Sequence, residues 1–531
     1  MLAALLGLPV LVVLGSWLQG SAESFGILGE MLQTVLPDYA GTSLLLCLLV
    51  AAGVMVVGVT AAVCVTLFDF RGRATLEWAL LLPLAMPAYV VAYAYTDFLQ
   101  FGGPLQVGLR AATGLQGRVF PEVRNVWGAA WVFVFTLYPY VYLLVRSALS
   151  ERAAHLMEAA RLLGAPLRKR ILHVALPMAR PAIAAGMALA LMETLADFGV
   201  SSYFGIQTFT AGVYKAWLVL DNRVAAAQLA TVLLLCVAGL LVWEARAQQR
   251  LRFAMGRSDR SGSAESQPVR LHGPVALGVW VMCALPCTLG FVLPVAFMLR
   301  PLSADWSVLP WAHFVAWAGN SLRLGLLTAA LAVAVAWGLA FMQRTRRDAL
   351  TQAVVRLVGL GYAVPGAVVV VGLLLPLGWL QQILPALQPG YWMTATVLGL
   401  VWAYLVRFCA VSLQSVQSGY SRLPRSLDES ARTLGVSGFN LLRRVHWPML
   451  RRSTLAAALL VLVDVMKELP ATLVLRPFNS DTLAVVAYQL ARDERLGEAA
   501  LPSLALVLVG LVPVILLSRA LRDRNGTAAA C

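Results

Sequence analysis

An all-α polytopic membrane protein, with about twelve helices in two parallel repeats, is the fold class this sequence predicts. Three observations lead there. The 531 residues are 60% hydrophobic and only 13% charged, where a soluble globular chain is about half apolar and a quarter charged. Apolar stretches of about 18 residues or more, each able to cross roughly 30 Å of hydrocarbon, recur along the chain. A polar pattern also stands twice between such stretches. It runs Glu158-Ala159-Ala160-Arg161-Leu162-Leu163-Gly164 and on to Pro177, then Glu429-Ser430-Ala431-Arg432-Thr433-Leu434-Gly435 and on to Pro448. Glu to Gly is 6 positions and Gly to Pro is 13 in both copies.

The apolar stretches place spans near 2–18, 42–68, 77–100, 126–147, 181–206 and 224–243, then near 274–299, 321–342, 353–377, 392–414, 453–475 and 501–519. The run at 2–18 has no basic residue ahead of it, which favours an uncleaved span over a signal peptide. The two sets align. Gly41-Thr42-Ser43-Leu44 matches Gly319-Asn320-Ser321-Leu322 at an offset of 278, as Pro87 matches Pro365. The polar patterns match at 271, and Tyr214 matches Tyr488 at 274, so the first half carries 7 extra residues, placed in the outer loop 101–125. Repeats of this kind build pathways at a two-fold interface, and here both halves share one orientation. The expected division is 1–243, a linker at 244–272, and 273–531. The linker is polar, Ser- and Arg-rich and without apolar period, the composition of a flexible tether.

Net charge is +15, which invites a nucleic-acid reading until the charges are mapped. Alternate loops hold 29 of the 41 Lys and Arg. This is the bias that marks inner loops, so the charge reports orientation, with both termini inside, and no nucleic-acid partner. Seven cysteines are scattered without a CxxC pair, which suggests neither a disulfide framework nor a zinc site. Cys283 and Cys287 share a helix face and read as small buried thiols.

Within each polar pattern the expectation is a short helix, a sharp turn at Gly164 or Gly435, a basic second segment, and Pro177 or Pro448 interrupting the helix before membrane re-entry. A helix presented this way suits a partner's groove. The spacing resembles the EAA loop of binding-protein-dependent ABC importer permeases. The second copy departs from that pattern at Ser430 for Ala and Trp447 for Leu. Met192-Glu193-Thr194-Leu195-Ala196-Asp197-Phe198-Gly199, Met466-Lys467-Glu468-Leu469-Pro470-Ala471-Thr472-Leu473 and the fusion of two halves resemble the ferric-iron branch of that family. The resemblance implies a type I importer permease in a bacterial inner membrane, lodged in the lipid bilayer. It implies two copies of a cytoplasmic ABC ATPase docking on the two patterns, a periplasmic ferric-iron-binding protein, and Fe3+ as the transported ion. No GxxxxGK[ST] phosphate loop occurs, so ATP is expected to act through the partner subunits, with no cofactor and no metal bound permanently. No catalytic triad is present, and covalent chemistry is not expected.

Glu193 and Asp197 lie in the fifth predicted span and align at 271 with Asp464 and Glu468 in the eleventh. Each pair is spaced i, i+4, so both carboxylates are expected to share a helix face. A carboxylate at mid-membrane costs about 2.5–3.5 kcal/mol on insertion scales. Two readings stand. The acids form an acidic stretch of the ion path at the pseudo-two-fold axis, suited to a hard cation that favours oxygen ligands. Alternatively they pair structurally, with Lys467 as the neutralising partner. A path must also release its ion, so transient contact is expected over a permanent site. Tyr89, Tyr93 and Tyr95, with Asp97, read as interfacial aromatic anchors. His173 and His446 read as surface or docking residues. Thiamine, a polyamine or an oxyanion is the alternative cargo, and an ion-driven secondary transporter is the alternative class.

Overall fold

The computed structural model describes residues 2–19, 29–31, 33–150, 154–219, 222–255, 268–304, 306, 309–346, 348–421 and 423–528. Nearly all of these are helical. Among them, nine helices are long and apolar enough to cross a membrane, or ten if the bent pair Arg73–Ala85 and Ala88–Thr113 counts as one span. Two further predicted spans appear as helices outside that set. The first, Leu2–Gly15, has 14 residues. The eleventh, Trp447–Lys467, has 21 and carries Arg451, Arg452, Asp464 and Lys467.

Several predicted spans are interrupted, among them the eleventh, which ends at Lys467 and restarts as Pro470–Leu475. The third bends by 91° at Pro87, and the ninth breaks between Ala349–Gly359 and Gly366–Ile383 at Pro365. Both prolines sit immediately before the following helix, with near-identical extended ψ of 140° and 143°. A proline has no N–H to give and pushes the preceding residue out of helical geometry, so the repeated proline becomes a repeated corner. The fifth span ends at Ala196 and restarts as Gly199–Tyr203. The linker also differs from expectation. Arg223–Met255 continues as one helix through 244–255. After 256–267, which lie outside the described residues, Val269–Arg270 forms a short parallel pair with Phe68–Asp69. The expected tether is thus helical on entry and bridged on exit.

The chain forms two compact units, and they do not follow the sequence-order halves. One contains 1–31, 212–234 and 310–489, and the other 32–211, 235–309 and 490–531. The first helix of each repeat therefore belongs with the main body of the other repeat. In the first unit, Leu2–Gly15 packs on Gly366–Ile383 and Ala349–Gly359. Its carbonyls are held by donors far along the chain: Trp402 Nε1 donates to Leu5 O at 3.0 Å and Thr231 Oγ1 to Val13 O at 3.2 Å. The approach requires Gly372, where a Cβ would fall 2.1 Å from Pro9 O. The second repeat buries one side of this short apolar helix, with Leu6 and Val13 inside, while Leu5, Leu11 and Leu14 stay exposed.

In the second unit, Leu36–Leu67 packs along Val126–Ala148 and against Leu176–Ala196. Tyr142 Oη donates to Glu77 O at 2.8 Å, and Arg146 forms an ion pair with Glu77. The tyrosines expected at the membrane interface are instead core. Tyr89, Tyr93 and Tyr95 are 3–5% exposed. Tyr93 meets Tyr203 edge-on at 4.6 Å, and Tyr95 Oη donates to Leu289 O at 2.7 Å. The bend at Pro87 turns this helix inward, which withdraws its aromatic face from the surface.

The matched serines found in the sequence have matched work. Ser43 Oγ accepts from Phe209 N at 3.2 Å, and Ser321 Oγ accepts from Leu483 N at 2.9 Å. Each ties the second helix of its repeat to the first amide of a later helix. Such a bond contributes about 1 kcal/mol, and more is lost if the amide is left buried and unpaired.

Candidate functional site

The two polar patterns fold into the same hairpin. The first is helix Ala154–Leu162, a turn, and helix Leu167–Arg170, which passes through a wide turn at Ile171–Ala175 into Leu176–Ala196. The second is Arg425–Thr433, then Gly438–Leu441, a wide turn at Leu442–His446, and Trp447–Lys467. Gly164 and Gly435 take φ of 78° and 79°, the left-handed conformation that glycine adopts without steric cost. The chain closes behind each glycine in the same way: Ala165 N donates to Ala160 O at 3.0 Å and Val436 N to Ala431 O at 2.9 Å.

Pro177 and Pro448 do not interrupt the helix as expected. Each lies in the first turn of an α-helix that continues the wide turn before it. Where the bonding pattern shifts from wide to ordinary turns, an amide is left without an intrahelical partner, and a residue with no N–H loses nothing there. The outer surfaces also match. Glu158 and Glu429 are exposed. Leu163 and Leu434, at equivalent positions just before the glycine, are 87% and 81% exposed. Large apolar side chains projecting on both sides of the repeat are the feature most in need of a partner.

The bases of the hairpins differ. Under the first lie Met157, Ala175 and Leu149, all buried. Beside it, Pro268 and Val269 of the linker exit line a small cleft with Glu158 and Arg161. The equivalent positions under the second are Asp428, His446 and Tyr420. Arg344 Nε donates to Asp428 Oδ2 at 2.6 Å and its Nη2 to Oδ1 at 3.1 Å. His446 Nε2 lies 3.0 Å from Asp428 Oδ1, and its Nδ1 3.1 Å from Tyr420 Oη. Burial works against ionisation of Asp428, but the Arg344 guanidinium and His446 together hold its carboxyl below the ordinary value. His446 is completely buried, which corrects its reading as a surface residue, because the wide turn rotates it inward. His173, in the first hairpin, is exposed.

The membrane acids are placed differently from the helix-face expectation. The fifth and eleventh helices end at Ala196 and Lys467, so Asp197 and Glu468 occupy the break, with extended ψ of 130° and 121°. Each reaches forward to the next helix. Asp197 Oδ1 accepts from Val200 N at 2.8 Å, and Glu468 Oε1 accepts from Ala471 N at 2.9 Å. A carboxylate is favoured where helix amides lack partners. The i, i+4 geometry fails because a helix that stops at the fourth residue no longer has that face.

Glu468 is 5% exposed and its oxygens are occupied. Arg407 Nη1 donates to Oε1 at 2.9 Å, and Thr472 N and Oγ1 donate to Oε2 at 3.0 and 2.7 Å. Its cation is therefore Arg407, a residue the sequence reading passed over, and not Lys467. Asp464 acts electrostatically on Lys467. Glu193 and Asp197, in the other unit, are half-buried. Among the described residues no group of three or more His, Cys, Asp or Glu is placed to hold a metal.

The chain is similar over its length to known transport proteins. It is 24% identical over 498 residues to the Fe(3+)-transport system permease protein FbpB 2 of Haemophilus influenzae, which covers 91% of this chain and 90% of that protein. It is 23% identical to the probable ABC transporter permease protein y4fN of Sinorhizobium fredii, covering 88% of this chain and 84% of the other. A shorter stretch is 30% identical to the sulfate transport system permease protein CysT of Escherichia coli, over 27% of this chain and 50% of that protein. The model of the binding-protein-dependent transport system inner membrane component family matches twice, at residues 54–253 and 329–524. The chain therefore belongs to that family, as an ABC importer permease that crosses the inner membrane many times and carries both of its permease repeats in one polypeptide.

Proposed function

We propose that this chain is the membrane permease subunit of an ATP-driven importer of ferric iron. It takes the ion from a periplasmic binding protein and releases it to the cytoplasm by alternating access. The observation that carries the reading is the matched pair of hairpins, with the same left-handed glycine and the same exposed leucine at positions 163 and 434. Each hairpin docks one copy of a cytoplasmic ATPase subunit, the glutamates and leucines entering a groove on it. ATP binds and is hydrolysed in those subunits. Because a ligand shifts an equilibrium only through differential affinity, ATP binding favours the outward-open state.

Support for iron comes from the ferric relative that covers nearly the whole chain and from carboxylates in, and at the breaks of, the apolar helices. Glu193 and Asp197 in one unit, and separately Asp464 in the other, offer oxygen ligands for transient contact with a hard cation. Glu468 supports the break through its bond to Arg407. Relatives named for sulfate and molybdenum transport match only about a third of the chain or less.

Uptake of radiolabelled iron(III), sulfate, thiamine and spermidine by cells expressing the chain with its neighbouring ATPase and binding protein tests the cargo. Iron uptake alone, slowed by Glu193→Gln with Asp197→Asn while the ATPase stays on the membrane, is the expected result. Uptake of another solute in preference to iron would overturn it.

A further inference from the structure

The same hairpin is fastened in two chemically different ways. We propose that Arg344, Asp428, His446 and Tyr420 are positioning residues that clamp the second hairpin to helix Trp311–Thr345. The second hairpin is then the stiffer of the two, and it carries most of the movement between ATPase and bundle. The part concerning movement rests on the docking role proposed above; the clamp does not.

One guanidinium gathers everything at the hairpin's entry. Arg344 binds both Asp428 oxygens and also donates to Tyr420 O and Leu423 O at 3.2 Å and to Pro424 O at 3.1 Å. These acceptors are the end of helix Leu398–Tyr420, the connecting turn, and the start of the hairpin helix. The hairpin's exit is bound to the same carboxylate through His446. Tyr420 closes the ring by bonding His446, and its face lies 5.3 Å from the guanidinium. Phe341 and Tyr420 pack edge-on against the imidazole. Entry and exit are thus held to one side chain of one membrane helix.

The first repeat has Thr66, Leu149, Met157 and Ala175 at these four positions, by the offsets of 278 and 271. Apolar contact has no direction, so a hairpin resting on Met157 and Ala175 rocks with little change in energy. A two-pronged charged bond is short and directional, and a fully satisfied buried network resists partial displacement. Identical outer geometry therefore sits on a compliant base in one copy and a rigid base in the other.

Hydrogen exchange of the full chain in lipid nanodiscs tests the clamp without any ATPase. Amides of 425–441 are expected to exchange about ten-fold more slowly than those of 154–170, as for segments of unequal local stability. Replacing the four residues by those of the first repeat (Arg344→Thr, Tyr420→Leu, Asp428→Met, His446→Ala) should abolish the difference, and Arg344→Lys should retain part of it. Retained protection across 311–340 shows that the variant is folded. Should the four-fold variant not fold, His446→Ala alone must still raise exchange at both 425–433 and 438–446. Equal exchange of the two hairpins in the native chain, or no change on substitution, overturns the clamp.

The second measurement is iron(III) uptake with the ATPase present. The four-fold variant, or His446→Ala if that does not fold, should lose several-fold in uptake with the ATPase still membrane-bound. Unchanged uptake overturns the role in movement. Separately, Glu158→Arg with Glu429→Arg should release the ATPase. If it stays bound, the docking reading fails while the exchange result still decides the clamp.

Discussion

The two copies of the repeated unit reach one geometry by different chemistry. In the first, the hairpin rests on Met157, Leu149 and Ala175, and Asp197 caps the broken span with a backbone amide. In the second, Asp428, His446 and Tyr420 occupy the hairpin base, and Glu468 caps the break while paired with Arg407. The residue equivalent to Arg407 in the first copy is Thr136, which bonds Val132 O within its own helix. Duplication thus preserved backbone features, the left-handed glycine, the corner proline and the capping acid. At the hairpin base and at the broken span, the cations Arg344 and Arg407 belong to the second copy, where the first has Thr66 and Thr136. Backbone geometry is what a docking partner reads from outside, so it is the part that must match; the support beneath it is free to diverge.

The largest effect expected from this contrast is at Arg407. Arg407→Met leaves Glu468 buried without its cation, and should cost about 3–5 kcal/mol, read as a fall in melting temperature of the detergent-solubilised protein. Adding Glu468→Gln should recover most of it. Thr136→Ala in the first copy should cost far less, and equal losses at the two positions would break the comparison.

Next come the shared turns. Gly164→Ala and Gly435→Ala each force a side chain into left-handed backbone, at about 1–2 kcal/mol. The two should weaken ATPase binding to a similar degree, since the strain is set by the common turn and not by the base beneath it. Ser43→Ala and Ser321→Ala remove the matched bonds to Phe209 N and Leu483 N, each for about 1 kcal/mol. Thermal unfolding of the single and paired variants checks that the two losses add.

The smallest effect is on pH. Asp428, faced by Arg344 and His446 with Tyr420 beyond, has its carboxyl held below the ordinary value of 3.8. A group whose folded value is depressed contributes stability above its unfolded value and loses it as pH falls through the folded one. Exchange at 425–433 should therefore rise below about pH 4, with no matching change at 154–162, where Met157 stands in place of the acid.

Much of this was legible in the sequence. The two hairpins, their glycine turns, the parallel repeat and the serine and proline matches all follow from local spacing, because turn and cap chemistry is local. Arg407, Asp428 and His446 were not legible. Their partners lie 18 to 84 positions away, and periodicity says nothing about which polar residue meets which across helices. The misplaced acids carried a signal that was available. Glu468-Leu469-Pro470 reads as an acidic cap ahead of a helix-starting proline, and the same break in the first copy follows from the alignment. The tyrosine cluster was misread because a corner at Pro87 changes which face is inside.

The exchange of first helices bears on how the chain is made. Leu2–Gly15 emerges from the ribosome long before Gly366–Ile383, the surface that covers it. Until then its apolar flanks must shelter in lipid or against the insertion machinery, and Trp402 and Thr231 have yet to reach its carbonyls. Long-range closure of this kind is slow and exposes unpaired surface on the way. Fusing the two repeats into one polypeptide confines that wait to a single nascent chain, where two separate subunits would have to find each other in the membrane to trade their first helices.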